Sequence, residues 1–123
     1  MVDFENYLRG LLSQIKDSIK IIDDLKDMPG DLDIIKKELV KINGLLKVIV
    51  NKLDVIDNKS DKYVELSSSA KYYLENYSFE REIETMSKLY SNDSYRLRNM
   101  RYAILNALYD KKLLERVYSI IEK

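Results

Sequence analysis

The sequence predicts an all-α protein: an up-down helical bundle of four or five helices that begins with an antiparallel, coiled-coil-like hairpin. The 123 residues include only one proline and three glycines, so few positions interrupt a helix. Apolar residues recur at spacings of three and four over most of the chain, which is the period of one helix face. No segment shows the apolar–polar alternation that would predict a strand.

The composition predicts a single helical domain over residues 1–123, with the hairpin in residues 1–57 and the C-terminal helices in residues 61–122. Apolar residues make up 46% and charged residues 34%, a balance typical of folded domains. No apolar run is long enough to cross a bilayer, and "MVDFENYLRG" at the N-terminus lacks the pattern of a secretory signal. We therefore expect a cytoplasmic protein with no membrane partner.

Two apolar stripes, one on each side of Pro29-Gly30, predict the helices of the hairpin. The second stripe continues without a miss for almost four heptads, as in the seam of a coiled coil. Residues 27–31, "DMPGD", would join the two helices, with Asp31 as the N-cap of the second. Extra apolar residues at 45, 48 and 50 predict that the second helix is central in the bundle. The stripes are Phe4, Leu8, Leu11, Ile15, Ile22 and Leu25, then Leu32, Ile35, Leu39, Ile42, Leu46, Ile49, Leu53 and Ile56.

Polar breaks separate the later helices. Residues 57–62 end the hairpin, and a change of phase at residues 76–78 predicts a kink or short break, with Ser78 as a cap. Residues 91–93 form the next break, so Asp93 or Ser94 would cap the last helix. We expect that helix to continue to about Ile121.

The absence of histidine and cysteine limits the chemistry of the chain. No imidazole or thiolate can ligate zinc or activate a nucleophile, so we predict no enzyme activity, no cofactor and no metal site. Two carboxylate pairs one helical turn apart, Asp23 with Asp27 and Glu80 with Glu84, would be the donors in the remote alternative of a carboxylate-metal enzyme. Such pairs are far more often solvated helix faces.

The stretch "YRLRNMRYAILNALYDKK", residues 95–112, holds three of the six arginines and three of the ten tyrosines. One stripe fits a core and runs through Leu97, Met100, Ile104, Ala107, Leu114 and Ile121, although Lys111 falls on the same line. A second stripe, placed roughly opposite, carries Tyr95, Arg98, Tyr102, Leu105, Tyr109, Lys112 and Arg116. Residues 91–123 hold seven basic and four acidic side chains, a net charge of +3.

Three interpretations of the second stripe remain open. The tyrosines could pack inside the bundle, with the arginines stacked on them or paired with glutamates at 80, 82 and 84. The face could meet another protein or a second copy, because tyrosine and arginine are frequent interface anchors. It could also meet nucleic acid through phosphate contacts and base stacking. The candidate contact residues are Tyr95, Arg96, Arg98, Arg101, Tyr102, Tyr109, Lys112 and Arg116.

Two segments resemble the small all-helical subunits of type III CRISPR effector complexes. They are "INGLLKVIVNK", residues 42–52, and "SYRLRNMRYAILNALYDK", residues 94–111. The resemblance implies a non-catalytic all-α subunit that lines a guide-target duplex with basic side chains. It would assign contacts to Asn43, Gly44, Leu45, Tyr95, Arg96 and Arg98. Residues 97–99, "LRN", are also similar to the start of the active motif in helical nuclease toxins of the HEPN type, but the histidine of that motif is absent here.

We therefore expect a non-enzymatic binding or scaffold subunit of a larger assembly that acts through its helix faces, namely the seam of the second helix and the second stripe of the last. The alternatives are an RNA-associated subunit of a nucleoprotein complex and a homodimeric coiled-coil structural protein. A protein partner or self-association is expected, nucleic acid is the alternative, and no small-molecule substrate is evident. The exposure of Tyr95, Tyr102 and Tyr109 distinguishes internal packing from an interface.

Overall fold

A computed structural model describes residues 2–90 and 93–121, with only the backbone described at Val2. Its helices are α1 (Val2–Asp24), α2 (Asp31–Asp54), α3 (Asp61–Asn76), α4 (Glu80–Leu89), α5 (Ser94–Tyr109) and α6 (Leu113–Ile121). The predicted all-α bundle is confirmed: four of these helices are long, two are short, and the described residues form no strand. In the same part of the chain, no helix has the length and apolar character that spanning a membrane requires.

Helices α1 and α2 form the predicted antiparallel hairpin around residues 25–30. Gly30 has a φ of 92°, a left-handed conformation that glycine adopts without strain, and it is the N-cap of α2. Asp31 is the first helical residue rather than the predicted N-cap. Its carboxylate accepts a hydrogen bond from the Met28 backbone N–H at 2.9 Å, which ties the loop to the start of α2.

Helix α2 is central, as predicted, and packs against α1, α3, α4 and α5. Its seam is buried inside the chain from Leu32 to Leu53, because the neighbouring helices cover it. The expectation that this seam is a contact surface for a partner is therefore wrong. Buried apolar residues from each of the six helices join it in one core.

The predicted break between the third and fourth helices lies at residues 77–79. Ser78 and Phe79 both have positive φ angles, 47° and 63°, and the Phe79 ring stacks on that of Tyr77 with centroids 5.9 Å apart. Ser78 does not cap α4, since Phe79 occupies the N-cap position. The buried Asn43 amide on α2 donates instead to the Ser78 carbonyl at 2.9 Å and to Glu80 Oε2 at 3.0 Å.

The predicted last helix is two helices. Asp93 caps α5, as expected, by accepting a hydrogen bond from the Arg96 N–H at 3.1 Å. The prediction that the helix continues to Ile121 is wrong, because a 3₁₀ turn at Asp110–Lys112 separates α5 from α6. Lys111 and Lys112 are both left-handed there, with φ of 52° and 61°. A straight helix would carry Lys111 toward the core, whereas the turn leaves that lysine exposed and packs α6 against α1 and α3.

Candidate functional site

Three tyrosines on α5 form an exposed line, called here the tyrosine row: Tyr95, Tyr102 and Tyr109. Their exposed fractions are 64%, 50% and 61%. Steps of seven residues keep them on one face, and about 1.5 Å of rise per residue spreads them over roughly 21 Å. Packing inside the bundle therefore does not account for these side chains, which lie on the surface of the chain.

Two arginines near the tyrosine row are also exposed, but they are held differently. The Arg98 guanidinium lies 5.5 Å from the centroid of the Tyr95 ring and forms no ion pair within residues 2–90 and 93–121. Arg96 lies over the Tyr90 ring at 3.8 Å, and its Nε is 3.3 Å from Asp93 Oδ2. Among the described residues, Arg98 thus has a ring contact but no ion pair on this face, whereas Arg96 is directed toward α4.

Arg101 lies inside the protein, with 7% of its surface exposed. Its Nε and Nη2 donate to the two carboxylate oxygens of Asp27 at 2.9 Å and 3.1 Å, and Nη1 donates to the Asp23 carbonyl at 3.2 Å. The hydrogen bonds to Asp27 raise the pKa of Arg101 above its usual range. The prediction that Arg101 contacts a partner is therefore wrong: it ties α5 to the loop of the hairpin. On α5 it follows Leu97 by one turn, so it belongs to the buried face.

Lys112 lies in the turn after α5, and Arg116 lies beyond it on α6, so neither continues the tyrosine row. They line an open pocket of about 450 Å³, called here the basic pocket, together with Ser68, Ser69, Tyr72 and Lys111. The Lys111 amine lies 5.0 Å from the centroid of the Tyr72 ring, and Arg116 Nη1 donates to the Glu65 carbonyl at 2.9 Å. The sequence patterns did not indicate the serines, Tyr72 or Lys111 as site residues. The one available signal was a lysine on the core line of the last helix.

The carboxylate pairs have other roles. Asp27 binds Arg101, and Glu80 accepts from Asn43 and lies 4.0 Å from the Lys47 amine. Nowhere in the described part of the chain do three or more potential metal-ligating side chains come together. Glu80, Glu82 and Glu84 form no ion pair with an arginine of α5 in that part of the chain.

The residues that carry the CRISPR-subunit resemblance do not form one surface. Asn43 is buried and holds the α3–α4 corner, whereas Gly44 and the Tyr95–Arg98 segment are exposed, apart from Leu97. Comparisons with protein-family models, curated proteins and solved structures found no match to this chain. The fold defines a small all-α bundle, and the resemblance remains a prediction.

Proposed function

We propose that the protein is a non-enzymatic binding subunit that docks a protein partner on the tyrosine row. The observation that carries the proposal is the exposure of Tyr95, Tyr102 and Tyr109 along one face of α5. Tyrosine rings bury a large area at a small cost in side-chain entropy, so they are frequent anchors at the centres of interfaces. A row of about 21 Å has the length of a helix-sized contact.

The charges beside the row indicate the chemistry of the partner. Arg98 has no carboxylate partner in the described residues, and its guanidinium is already near a tyrosine ring. An acidic side chain on the partner would pair with Arg98 while an apolar surface covers the rings. The proposed partner is therefore a protein surface that is apolar at its centre and acidic at its edge.

Site-specific crosslinking tests this proposal. A photoreactive phenylalanine analogue replaces Tyr102 in the cells that make the protein, and the same analogue replaces the exposed Val48 of α2 as a control. We expect a specific adduct only at position 102. The protein identified in the adduct is then purified, and its binding to each variant is measured. Tyr95→Ala, Tyr102→Ala and Tyr109→Ala should each weaken this binding about tenfold, as for interface anchors worth roughly 1–2 kcal/mol.

Two outcomes would overturn the proposal: equal crosslinking at both positions, or an unchanged dissociation constant after all three substitutions. Light scattering at several concentrations shows whether the partner is a second copy. In that case, the homodimer alternative applies, and the triple variant should be monomeric. Because the three tyrosines are exposed, their loss should leave the helical circular dichroism spectrum unchanged.

An RNA-associated subunit is the second candidate, and Arg98 beside Tyr95 favours it. An unpaired arginine next to an exposed ring can hold a phosphate while the ring stacks on an unpaired base. Gel shifts with single-stranded RNA at two salt concentrations test this candidate, with Arg98→Glu as the variant. Unchanged RNA binding by Arg98→Glu would exclude this surface. Arg101→Glu is unsuitable because it would disrupt a buried ion pair.

A further inference from the structure

Three cations line the basic pocket, and the Asp110 carboxylate, which accepts a hydrogen bond from the Lys111 backbone N–H, lies outside its lining. Lys111, Lys112 and Arg116 form no ion pair with any residue that the structure describes, and neither aspartate nor glutamate lines the pocket. Lys71 of the neighbouring helix α3, by contrast, pairs with Asp54 at 3.1 Å. Like charges held together repel one another, so a bound anion would stabilise this arrangement.

The backbone holds the two lysines in a conformation that costs energy. Left-handed φ angles at residues with a side chain cost on the order of 1–3 kcal/mol each, and Lys111 and Lys112 adopt them in succession. Contacts from α3 fix the turn: Ser69 Oγ donates to the Lys111 carbonyl at 2.8 Å. The Tyr77 hydroxyl donates to Asp110 Oδ2 at 2.6 Å. The backbone that carries the two lysines is thus held by contacts with the α3 region.

The donors around the pocket match a phosphate group. Two ammonium groups and a guanidinium provide charge, and the exposed Ser68 hydroxyl provides a neutral donor. Phosphate oxygens accept such charge-assisted hydrogen bonds strongly, and a phosphate monoester carries close to two negative charges. About 450 Å³ of open space accommodates the phosphate together with the group to which it is esterified.

We infer that the basic pocket, between α3 and the turn that joins α5 to α6, is a phosphate-binding site. The ligand is a phosphate ester, either a free one or one phosphate of a nucleic-acid backbone. The inference goes beyond the proposed protein-docking function, because no residue of the tyrosine row lines the pocket. The two sites can therefore fail or succeed separately.

A titration with pyrophosphate, monitored by two-dimensional NMR of the backbone amides, tests the inference. The amide signals of Ser68, Lys112 and their neighbours should shift, and those of the tyrosine row should not. Lys111→Gln with Lys112→Gln should weaken pyrophosphate binding at least about tenfold, since charge-assisted hydrogen bonds are lost. Lys36→Gln with Lys37→Gln is the matched control, as it neutralises two adjacent, exposed lysines on α2.

The inference is overturned if the two double variants lose the same affinity, because the effect would then come from net charge. It is also overturned if millimolar pyrophosphate shifts no signal of the pocket. Lys112→Gln with Arg116→Gln gives a second test that leaves Lys111 in place. Single-stranded oligouridylate shows which kind of ligand supplies the phosphate. If oligouridylate competes with pyrophosphate, the ligand is a nucleic-acid backbone. If it does not compete, the ligand is a free phosphate ester.

Discussion

Replacing Arg101 with methionine should destabilise the protein strongly. The change removes two charge-assisted hydrogen bonds to Asp27 and one hydrogen bond to the Asp23 carbonyl. It also leaves the Asp27 carboxylate, whose side chain is 14% exposed, without its cation. Breaking a buried ion pair from one side costs about 3–5 kcal/mol. With a urea slope of about 1.5 kcal/mol per molar, the midpoint of unfolding should fall by about 2–3 M.

Urea unfolding followed by circular dichroism measures this shift, and Arg98→Met is the matched control. Arg98 lies three residues earlier on α5, is exposed and has no described ion pair, so its loss should change the free energy of unfolding by less than about 0.5 kcal/mol. Adding Asp27→Asn to Arg101→Met should restore part of the lost stability, because the unpaired charge disappears. Equal midpoints for Arg101→Met and Arg98→Met would refute the structural role of the pair.

Three further predictions concern the turns and corners of the bundle. Lys112→Gly should raise the free energy of unfolding by about 1 kcal/mol, because glycine relieves the strain of the left-handed conformation. The control Lys37→Gly, inside α2, should lower the free energy of unfolding by a similar amount. Thermal unfolding compares the two variants. Tyr77→Phe should lower the melting temperature at neutral pH. The difference in melting temperature between the unsubstituted protein and Tyr77→Phe should shrink in acid and in strong alkali. Thermal unfolding measured at a series of pH values tests this. Asn43→Ala should cost about 1–3 kcal/mol in urea unfolding, since it leaves the carbonyl at the α3–α4 corner unpaired.

The pH dependence of Tyr77→Phe follows from two shifted groups. The hydrogen bond from Tyr77 lowers the pKa of Asp110 below its usual 3.8, so this stabilisation is present above that value and is lost as the pH falls through the lowered pKa. The same bond raises the pKa of Tyr77 above its usual 10.0, so its contribution is present below that value and is lost as the pH rises through the raised pKa. A constant difference at every pH would contradict this role of the bond.

Local spacing was sufficient to predict the hairpin and the central position of α2. The unbroken seam from Leu32 to Leu53 determines which face is buried, because residues three and four apart share a face whatever the partners are. The caps were less predictable. Gly30 and Phe79 occupy N-cap positions that side-chain preference would give to Asp31 and Ser78, since the loop geometry at each corner determines the boundary.

The candidate site was predicted only in part, because its arrangement depends on contacts between distant residues. Arg101 is buried since Asp27, 74 positions away in a loop, meets it there. The turn after Tyr109 is fixed by Ser69 and Tyr77 of the α3 region, which no local pattern could reveal. The exposure of the tyrosine row likewise depends on which helices cover α5.

The packing of α6 against α1 has a consequence for the order of folding. The α1–α2 hairpin joins neighbouring segments, so its contacts close a short loop and can form early. The surface of α1 that α6 covers stays open to water until residues 113–121 have been synthesised. A chain emerging from the ribosome therefore exposes this strip of α1 until α6 has also emerged. We expect this strip to be where chaperones bind the nascent protein.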